Sequence, residues 1–372
     1  MATIATPVEI EGDVLIPLSA MDAVMNTYRV VVLYIYPPPS SEASAFNLDK
    51  LQRSFVTLVN EDYPVLVGEL HVHGKTISVK QTPVSRHQAS SSKRDYRRQR
   101  IHFSGWGMAI GVDCSHVLFD GEAMLTFMKV WGQHYSKVRK NARLVVNHDR
   151  YLLSGTGETP RLSHPEFLIA PLEPLVRRKD GSLAPKTVTT PPKTDQHVFH
   201  FSSSSMAKLK KLAEGVEAEK TRHIRRKRER FLAKLLSIFS SKDKKIAQAP
   251  SPPYVSTLDA ITALFTVLIS QARGHGRSVR VSTAVNGRNR LQPPLPENYS
   301  GNAVFHAIST YTNEMLQAAI NAVLLPRVAR GVRASILERD NAFMRDTIAF
   351  ISSQSDPVTI NDNVHFFFGP VR

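Results

Sequence analysis

The sequence predicts an α/β protein, and three observations carry that prediction. Helix-period and strand-period apolar patterns alternate along most of the chain rather than segregating into blocks. No internal repeat is present, so a solenoid or propeller is not indicated. The chain has 372 residues, of which 42% are hydrophobic and 22% charged. That is ordinary globular composition, with enough length to bury one large core or two average ones without staples.

The N-terminal stretch carries Glu9, Glu11 and Asp13 where a signal peptide would need a basic start and an unbroken apolar run, so secretion is not expected. The longest apolar runs, Val30 to Tyr36 and Ala260 to Ile269, fall short of the ~20 residues needed to cross a bilayer. No membrane span is expected. Leu48, Leu51, Phe55 and Leu58 recur at helical spacing behind Asn47, a residue type that caps helix N-termini, so residues 48–60 read as an amphipathic helix. Met108, Ile110, Val112 and Cys114 alternate with Ala109, Gly111 and Asp113 as a strand does. Met124, Met128, Trp131 and Tyr135 then return to helical spacing, which leaves His116 in the short turn between strand and helix.

In the second half, Ser256-Thr-Leu-Asp259 has the spacing of a capping box opening a helix that ends before Gly274. Val279, Val281, Thr283 and Val285 alternate as a strand leading into Asn286-Gly287-Arg288. Residues 171–196, with Pro171, Pro174, Pro185, Pro191 and Pro192, read as a crossover between domains. The linker proper is placed at 181–196, an N-terminal domain at 1–180 and a C-terminal domain at 197–372. Residues 214–253 read as a long basic loop insertion.

The formal net charge of +16 raises the question of a nucleic-acid partner. Residues 219–245 hold eleven Lys or Arg against three acids, and residues 86–100 hold six against one. Most of the excess therefore sits in two short segments and belongs to insertions rather than to the body of the fold. Ile224, Phe231, Leu232, Leu235, Leu236 and Phe239 give the first segment an apolar face, the composition of a helix that binds nucleic acid or acidic lipid. A solvated insertion packed on the body explains it better, and no RNA-binding signature accompanies it, so no nucleic-acid partner is expected.

The single cysteine, Cys114, excludes an internal disulfide and any cysteine-rich zinc site, and fits a reducing, cytoplasmic compartment. It reads as a small apolar residue rather than a nucleophile. His71 and His73 share a strand face without further ligands nearby in the pattern, so no metal is expected. Ser202 to Ser205 read either as contacts to phosphate or as the turn before a helix at Met206.

The chemistry-bearing pattern is His116-Val-Leu-Phe-Asp120-Gly121, an HxxxDG sequence. Its spacing alone recurs by chance in chains of this composition; the setting gives it weight. A strand end delivers His116 to a turn, and Gly121 is expected to permit a sharp exit into the helix. A reaction in which a hydroxyl attacks as nucleophile needs a group that removes its proton, and imidazole, with an unperturbed pKa of about 6.5, suits that task at neutral pH. Asp120, four residues on, can hold the turn by pairing with a distant base. The bland reading is a core histidine followed by a helix-capping aspartate.

Further blocks, in order, carry a family resemblance. They are Leu18-Ser-Ala-Met-Asp22, the aromatic stretch Tyr34-Ile-Tyr36-Pro37, Tyr63-Pro-Val-Leu-Val-Gly68 followed by Glu69, and Phe103 to Gly121. Val255-Ser-Thr-Leu-Asp259 and Asn286-Gly-Arg288-Asn-Arg290-Leu-Gln-Pro-Pro294, continuing through Tyr299-Ser-Gly301-Asn302-Ala303, complete the series. Together they resemble the BAHD (HxxxD) acyl-CoA-dependent acyltransferases. The resemblance implies two chloramphenicol-acetyltransferase-like domains, each a mixed sheet flanked by helices, with the active-site channel between them. It also implies His116 as general base, Asp120 as a structural residue paired with Arg288 across the domains, and Gly121, Arg288 and Asn302 as structural motif residues. Acyl-CoA would be the co-substrate with no bound cofactor, the partner a small-molecule alcohol or amine, and the protein a cytoplasmic monomer. The family's Asp-Phe-Gly-Trp-Gly signature is absent; Phe366-Phe-Phe-Gly369-Pro370 stands near its place. The C-terminal domain is accordingly expected to be incomplete, the alternative to an active enzyme being a truncated or inactive paralogue.

Overall fold

The structure is a computed structural model that describes residues 12–25, 28–38, 47–73, 76–83, 101–104, 107–167, 175–177, 183–185, 197–215, 254–274 and 276–354. The basic segments 86–100 and 219–245, most of the 181–196 linker and the Phe366 to Pro370 stretch lie outside them. The chain divides into two compact units. The first comprises Met1–Pro171, Asn286–Phe305 and Asp340–Arg372; the second comprises Leu172–Val285 and His306–Arg339.

In the first unit, β2 (Arg29–Tyr36), β6 (Gly107–Ser115) and β5 (Ile101–Ser104) form an antiparallel sheet in the order β2-β6-β5. The register pairs Arg29 with Ser115 and Tyr36 with Met108. β1 (Val14–Pro17), β4 (Thr76–Gln81) and β3 (Glu69–His73) form a second antiparallel sheet in the order β1-β4-β3. Gly68, with φ of 137° and Lys80 O 2.4 Å from where a Cβ would stand, lets the chain enter β3 against β4; any side chain would be strained there.

Two helices cover the first sheet. α2 (Leu48–Glu61) starts at Asn47, whose side chain accepts from the Lys50 amide at 2.8 Å, and α3 (Gly121–Tyr135) starts at Asp120. Leu51, Phe55, Leu58 and Val59 of α2 meet Met124, Phe127, Val130 and Trp131 of α3 over Met108, Ile110 and Val112 of β6. Phe55 and Trp131 pack edge to face at 5.1 Å, as do Tyr63 and Phe127, an arrangement worth about 0.5–1.5 kcal/mol per pair beyond area burial. Trp131 donates to Ser54 Oγ at 3.1 Å, so the buried indole N–H is satisfied. A smaller cluster, Leu18, Ala23, Val65, Ile77, Val79 and Val117, packs against the second sheet. α1 (Ala20–Ala23) and α8 (Asn341–Ser353) complete the helices of this unit.

In the second unit, residues 203–215 are helical (α4), and Ser202 Oγ accepts from the Ser205 amide at 3.1 Å, so the serine run acts as a helix cap. α5 (Thr257–Arg273) carries the capping box of Ser256 and Asp259 and ends at Gly274, whose φ is 56°. β9 (Val279–Asn286) pairs with β10 (Val304–Tyr311), and α6 (Asn313–Leu316) and α7 (Leu324–Leu337) follow. Inside the expected crossover, β7 (Leu175–Arg177) and β8 (Leu183–Pro185) pair antiparallel. The proline pattern hid this ribbon, although Asp180-Gly181 between the strands is a turn signal. Among the described residues no helix is long and apolar enough to cross a membrane.

Candidate functional site

The turn 116–120 between β6 and α3 is fixed by its own apolar residues. Val117 is buried in the smaller cluster and Phe119 in the larger one. Anchoring alternate residues in two cores leaves His116 half-buried and turns Asp120 inward to 1% exposure. His116 N donates to Tyr28 O at 2.9 Å, which ties the turn to the end of β2.

All the acceptor capacity of Asp120 is spent on groups other than the imidazole. Oδ1 accepts from Ala123 N at 2.9 Å, which caps α3, and from Arg288 Nη2 at 2.9 Å. Oδ2 accepts from Arg288 Nη1 at 2.8 Å and from Ala303 N at 3.0 Å. The pairing is therefore the bidentate fork that a guanidinium makes with a carboxylate. Arg288 also donates from Nη2 to Gly301 O at 2.7 Å and Tyr299 O at 3.1 Å. Asp120 and Arg288 belong to the same compact unit, because Asn286–Phe305 returns to the first one; the pair expected across the domains is internal to that unit. Gly287 shapes the approach, since a Cβ there would lie 2.4 Å from the Phe305 ring. Gly121 has no such constraint: a Cβ would meet nothing within 4 Å and its φ is not positive. The exit into α3 thus does not depend on a missing side chain, which corrects the expectation for that residue.

Asn302, fully buried, faces the histidine. His116 Nδ1 lies 2.9 Å from Asn302 Oδ1. The amide nitrogen of Asn302 points at oxygens alone: Asp22 Oδ1 at 2.9 Å, His116 O at 2.8 Å and Val117 O at 3.3 Å. A flipped amide would set its oxygen against a carboxylate and two carbonyls, so the network fixes Oδ1 towards the ring. Oδ1 can only accept, hence in the neutral ring Nδ1 carries the proton and Nε2 is the bare nitrogen.

Sequence reasoning missed what stands behind Asn302. Asp22, with no exposed surface, accepts at Oδ1 from Asn302 N at 2.8 Å and Arg150 Nη1 at 3.0 Å, and at Oδ2 from Ser19 N at 3.0 Å and Ser19 Oγ at 2.7 Å. Arg150 Nη2 donates to Leu118 O at 3.1 Å and Ser300 Oγ at 3.3 Å. Ser300 and His148 Nδ1 are 2.8 Å apart, and His148 Nε2 reaches Asp62 O at 2.7 Å. Burial, with the nearby Arg150 charge, outweighs that backbone bond and holds the His148 pKa below its usual value. The neutral ring fits the chain: Nε2 donates to the carbonyl and Nδ1 accepts from the serine. The Ser19 and Asp22 spacing of a capping box was a signal for the first partner; nothing in the local sequence marks Arg150.

The other candidates resolve as structure. Cys114 lies in β6, and its thiol is pushed up to about 11, first by burial and then by Asp113; it is no nucleophile at neutral pH. His71 and His73 lie in β3. Among the described residues the one group with metal-ligand proximity is Glu61, Asp62 and His134. Arg143 already sits in it, 2.6 Å from Glu61 and 3.2 Å from Asp62, so a guanidinium supplies the positive charge.

The comparisons with known proteins accord with this geometry. The structure of F. graminearum TRI101 complexed with coenzyme A and deoxynivalenol superposes with a TM-score of 0.56 at 13% identity, covering 94% of this chain and 82% of that one. F. sporotrichioides TRI101 complexed with coenzyme A and T-2 gives 0.57 at 13%, covering 95% and 80%. These likenesses define the fold class as a mixed α/β fold of small sheets flanked by helices. The model of the Transferase family matches residues 101–356, and the chain belongs to that family, the BAHD acyltransferases. Hydroxycinnamoyltransferase 1 of Oryza sativa subsp. japonica is 24% identical over 281 residues, which are 73% of this chain and 52% of the relative. A hydroxycinnamoyl-CoA:5-hydroxyanthranilate N-hydroxycinnamoyltransferase of Avena sativa is 24% identical over 280 residues, with the same shares. The chain thus spans about half the length of the curated relatives it matches.

Proposed function

We propose that this protein is an acyltransferase that moves an acyl group from acyl-CoA to a hydroxyl or amine of a small-molecule acceptor, with His116 as the general base. The observation that carries the reading is the Asn302 contact, which commits Nδ1 and leaves Nε2 of a half-buried histidine free to accept a proton.

The chemistry follows from that nitrogen. As the acceptor oxygen or nitrogen attacks the thioester carbonyl, its proton passes to His116 Nε2 and the carbonyl electrons collect on the oxyanion. When the tetrahedral intermediate collapses, the carbon–sulfur bond breaks and the imidazolium returns the proton to the departing CoA sulfur. Asp120 and Arg288 take no part in the transfer; they hold the turn. In this reading residues 1–180 and 197–372 are the family's two domains in chain order, with Asn286–Phe305 and Asp340–Arg372 counted in the first compact unit, and the protein acts as a cytoplasmic monomer, a location that the single cysteine suits.

The names of the relatives choose the first substrates to try. They include hydroxycinnamoyltransferases acting on an amine and on piscidic acid, and an O-acetyltransferase of Aspergillus oryzae. Release of free thiol from hydroxycinnamoyl-CoAs and acetyl-CoA is to be followed against a mixed panel of alcohols and amines. Acceptor-dependent thiol release with formation of the ester or amide is expected. No turnover, together with binding of nucleic acid or acidic vesicles that salt abolishes, would replace this reading with a binding role for residues 219–245.

A further inference from the structure

We infer that Asp22, held by Arg150, is the positioning residue that sets the tautomer of His116, acting through the Asn302 side chain. The inference rests on the acyltransferase reading for its consequence in turnover, although its physical content concerns one proton and stands apart from any substrate.

An asparagine amide is nearly symmetric in shape, so its orientation is decided by the charges it faces. Two backbone carbonyls, His116 O and Val117 O, favour the nitrogen on their side of Asn302. Both are ordinary dipoles. The group with a full charge is Asp22, whose Oδ1 takes both the main-chain and the side-chain N–H of Asn302, at 2.8 and 2.9 Å. In a site where Asp22, Asn302 and Ser300 have no exposed surface, water does not screen that carboxylate.

A carboxylate so buried must itself be neutralised and aimed. Arg150, whose side chain is 4% exposed, does both, and its second nitrogen holds Leu118 O in the middle of the His116 to Asp120 turn. Ser300 and the neutral His148 extend the support to Asp62 O, giving Arg150 a fixed neighbour on its other side. The turn is thus gripped by two arginine–carboxylate pairs with different duties. Asp120 with Arg288 fixes the backbone. Asp22 with Arg150 fixes which nitrogen of His116 is bare. Replacing Asp22 by Asn offers Asn302 a donor as well as an acceptor, so the amide can turn over, present its nitrogen to Nδ1 and drive the proton to Nε2. A histidine in that form cannot accept the acceptor's proton.

The test is the tautomer itself, read by two-bond ¹H–¹⁵N correlation spectra of the uniformly labelled full chain, with the His116 signals assigned by their loss in His116→Gln. The wild type is expected to carry the proton on Nδ1. Asp22→Asn is expected to move it wholly or partly to Nε2 and to lower kcat on the order of 10²- to 10⁴-fold, the size of a lost general base, with KM for acyl-CoA nearly unchanged. Arg150→Met, which strands the Asp22 carboxylate until it takes up a proton, is the second arm should Asp22→Asn not fold, and Arg150→Lys the rescue that keeps Nδ1 protonated. A wild type protonated on Nε2 overturns the inference outright, whatever the variants do. So does an Asp22→Asn or Arg150→Met variant that folds and retains the wild-type signals. Failure of every acyl-CoA to turn over would count against the acyltransferase reading alone, since the spectra need no substrate.

Discussion

Asp120 makes four hydrogen bonds to three partners, capping α3 at Ala123 N, gripping Arg288 with both oxygens and accepting from Ala303 N. With exposures of 1% and 6% for the two side chains, removing either partner strands a buried charge, which costs about 3–5 kcal/mol. Asp120→Asn and Arg288→Met are each expected to lose that much stability in urea unfolding, while the double variant loses much less than the sum. Additive effects would mean that the pair is not coupled. A separate expectation attaches to Gly287, where a methyl group would meet the Phe305 ring at 2.4 Å: Gly287→Ala should lower the unfolding midpoint, and an unchanged midpoint would show that the ring yields freely. The HxxxDG spacing made Asp120 legible, and the family resemblance marked Arg288 as its partner. Arg150 was not legible, since its partner Asp22 lies 128 residues away in the chain and no short pattern encodes so distant a contact.

At the scale of elements, α8 depends on a charged contact. His164, buried, lies 2.8 Å from Glu166 through Nδ1 and 2.9 Å from Asp346 of α8 through Nε2. Asp346 also accepts from the amides of Arg161 and Leu162, at 2.8 Å each. Burial opposes charge on the ring, yet the bonds and charges of Glu166 and Asp346 outweigh it and raise the pKa of His164. Asp346 is held below the usual carboxylate range: burial would raise it, and the Arg161 amide, the His164 ring and the Leu162 amide overcome that. A raised folded-state pKa contributes stability that is complete below the unfolded value of about 6.5 and is lost as pH climbs through the folded value. The depressed carboxylate contributes above about 3.9 and fails as pH falls further. The melting-temperature gap between wild type and His164→Gln is therefore expected to be widest between these limits and to shrink towards pH 9. A gap that does not change with pH would contradict a charged ring. Elements with strong caps and clean periods, α2 behind Asn47 and α5 between Ser256 and Gly274, were readable from sequence. The β7-β8 ribbon was not, because prolines mask a three-residue strand.

At the scale of the whole molecule, the fold class followed from alternating periods, and the family from ordered blocks spread between residue 18 and about residue 310. The division into units did not. Asn286–Phe305 carries Arg288 and Asn302 back to the unit that holds His116, a long-range return that local periodicity does not record. That return lets residues more than 160 positions apart form one buried network, and the account of function stands on it. The central claim is that the bare nitrogen of His116 removes the acceptor's proton. It is tested most directly by comparing acceptor-dependent thiol release from acyl-CoA by the wild type and by His116→Ala, with folding checked by thermal unfolding. The account predicts a loss of roughly 10²- to 10⁴-fold in kcat, the usual contribution of a general base. A folded alanine variant that turns over at the wild-type rate would contradict it.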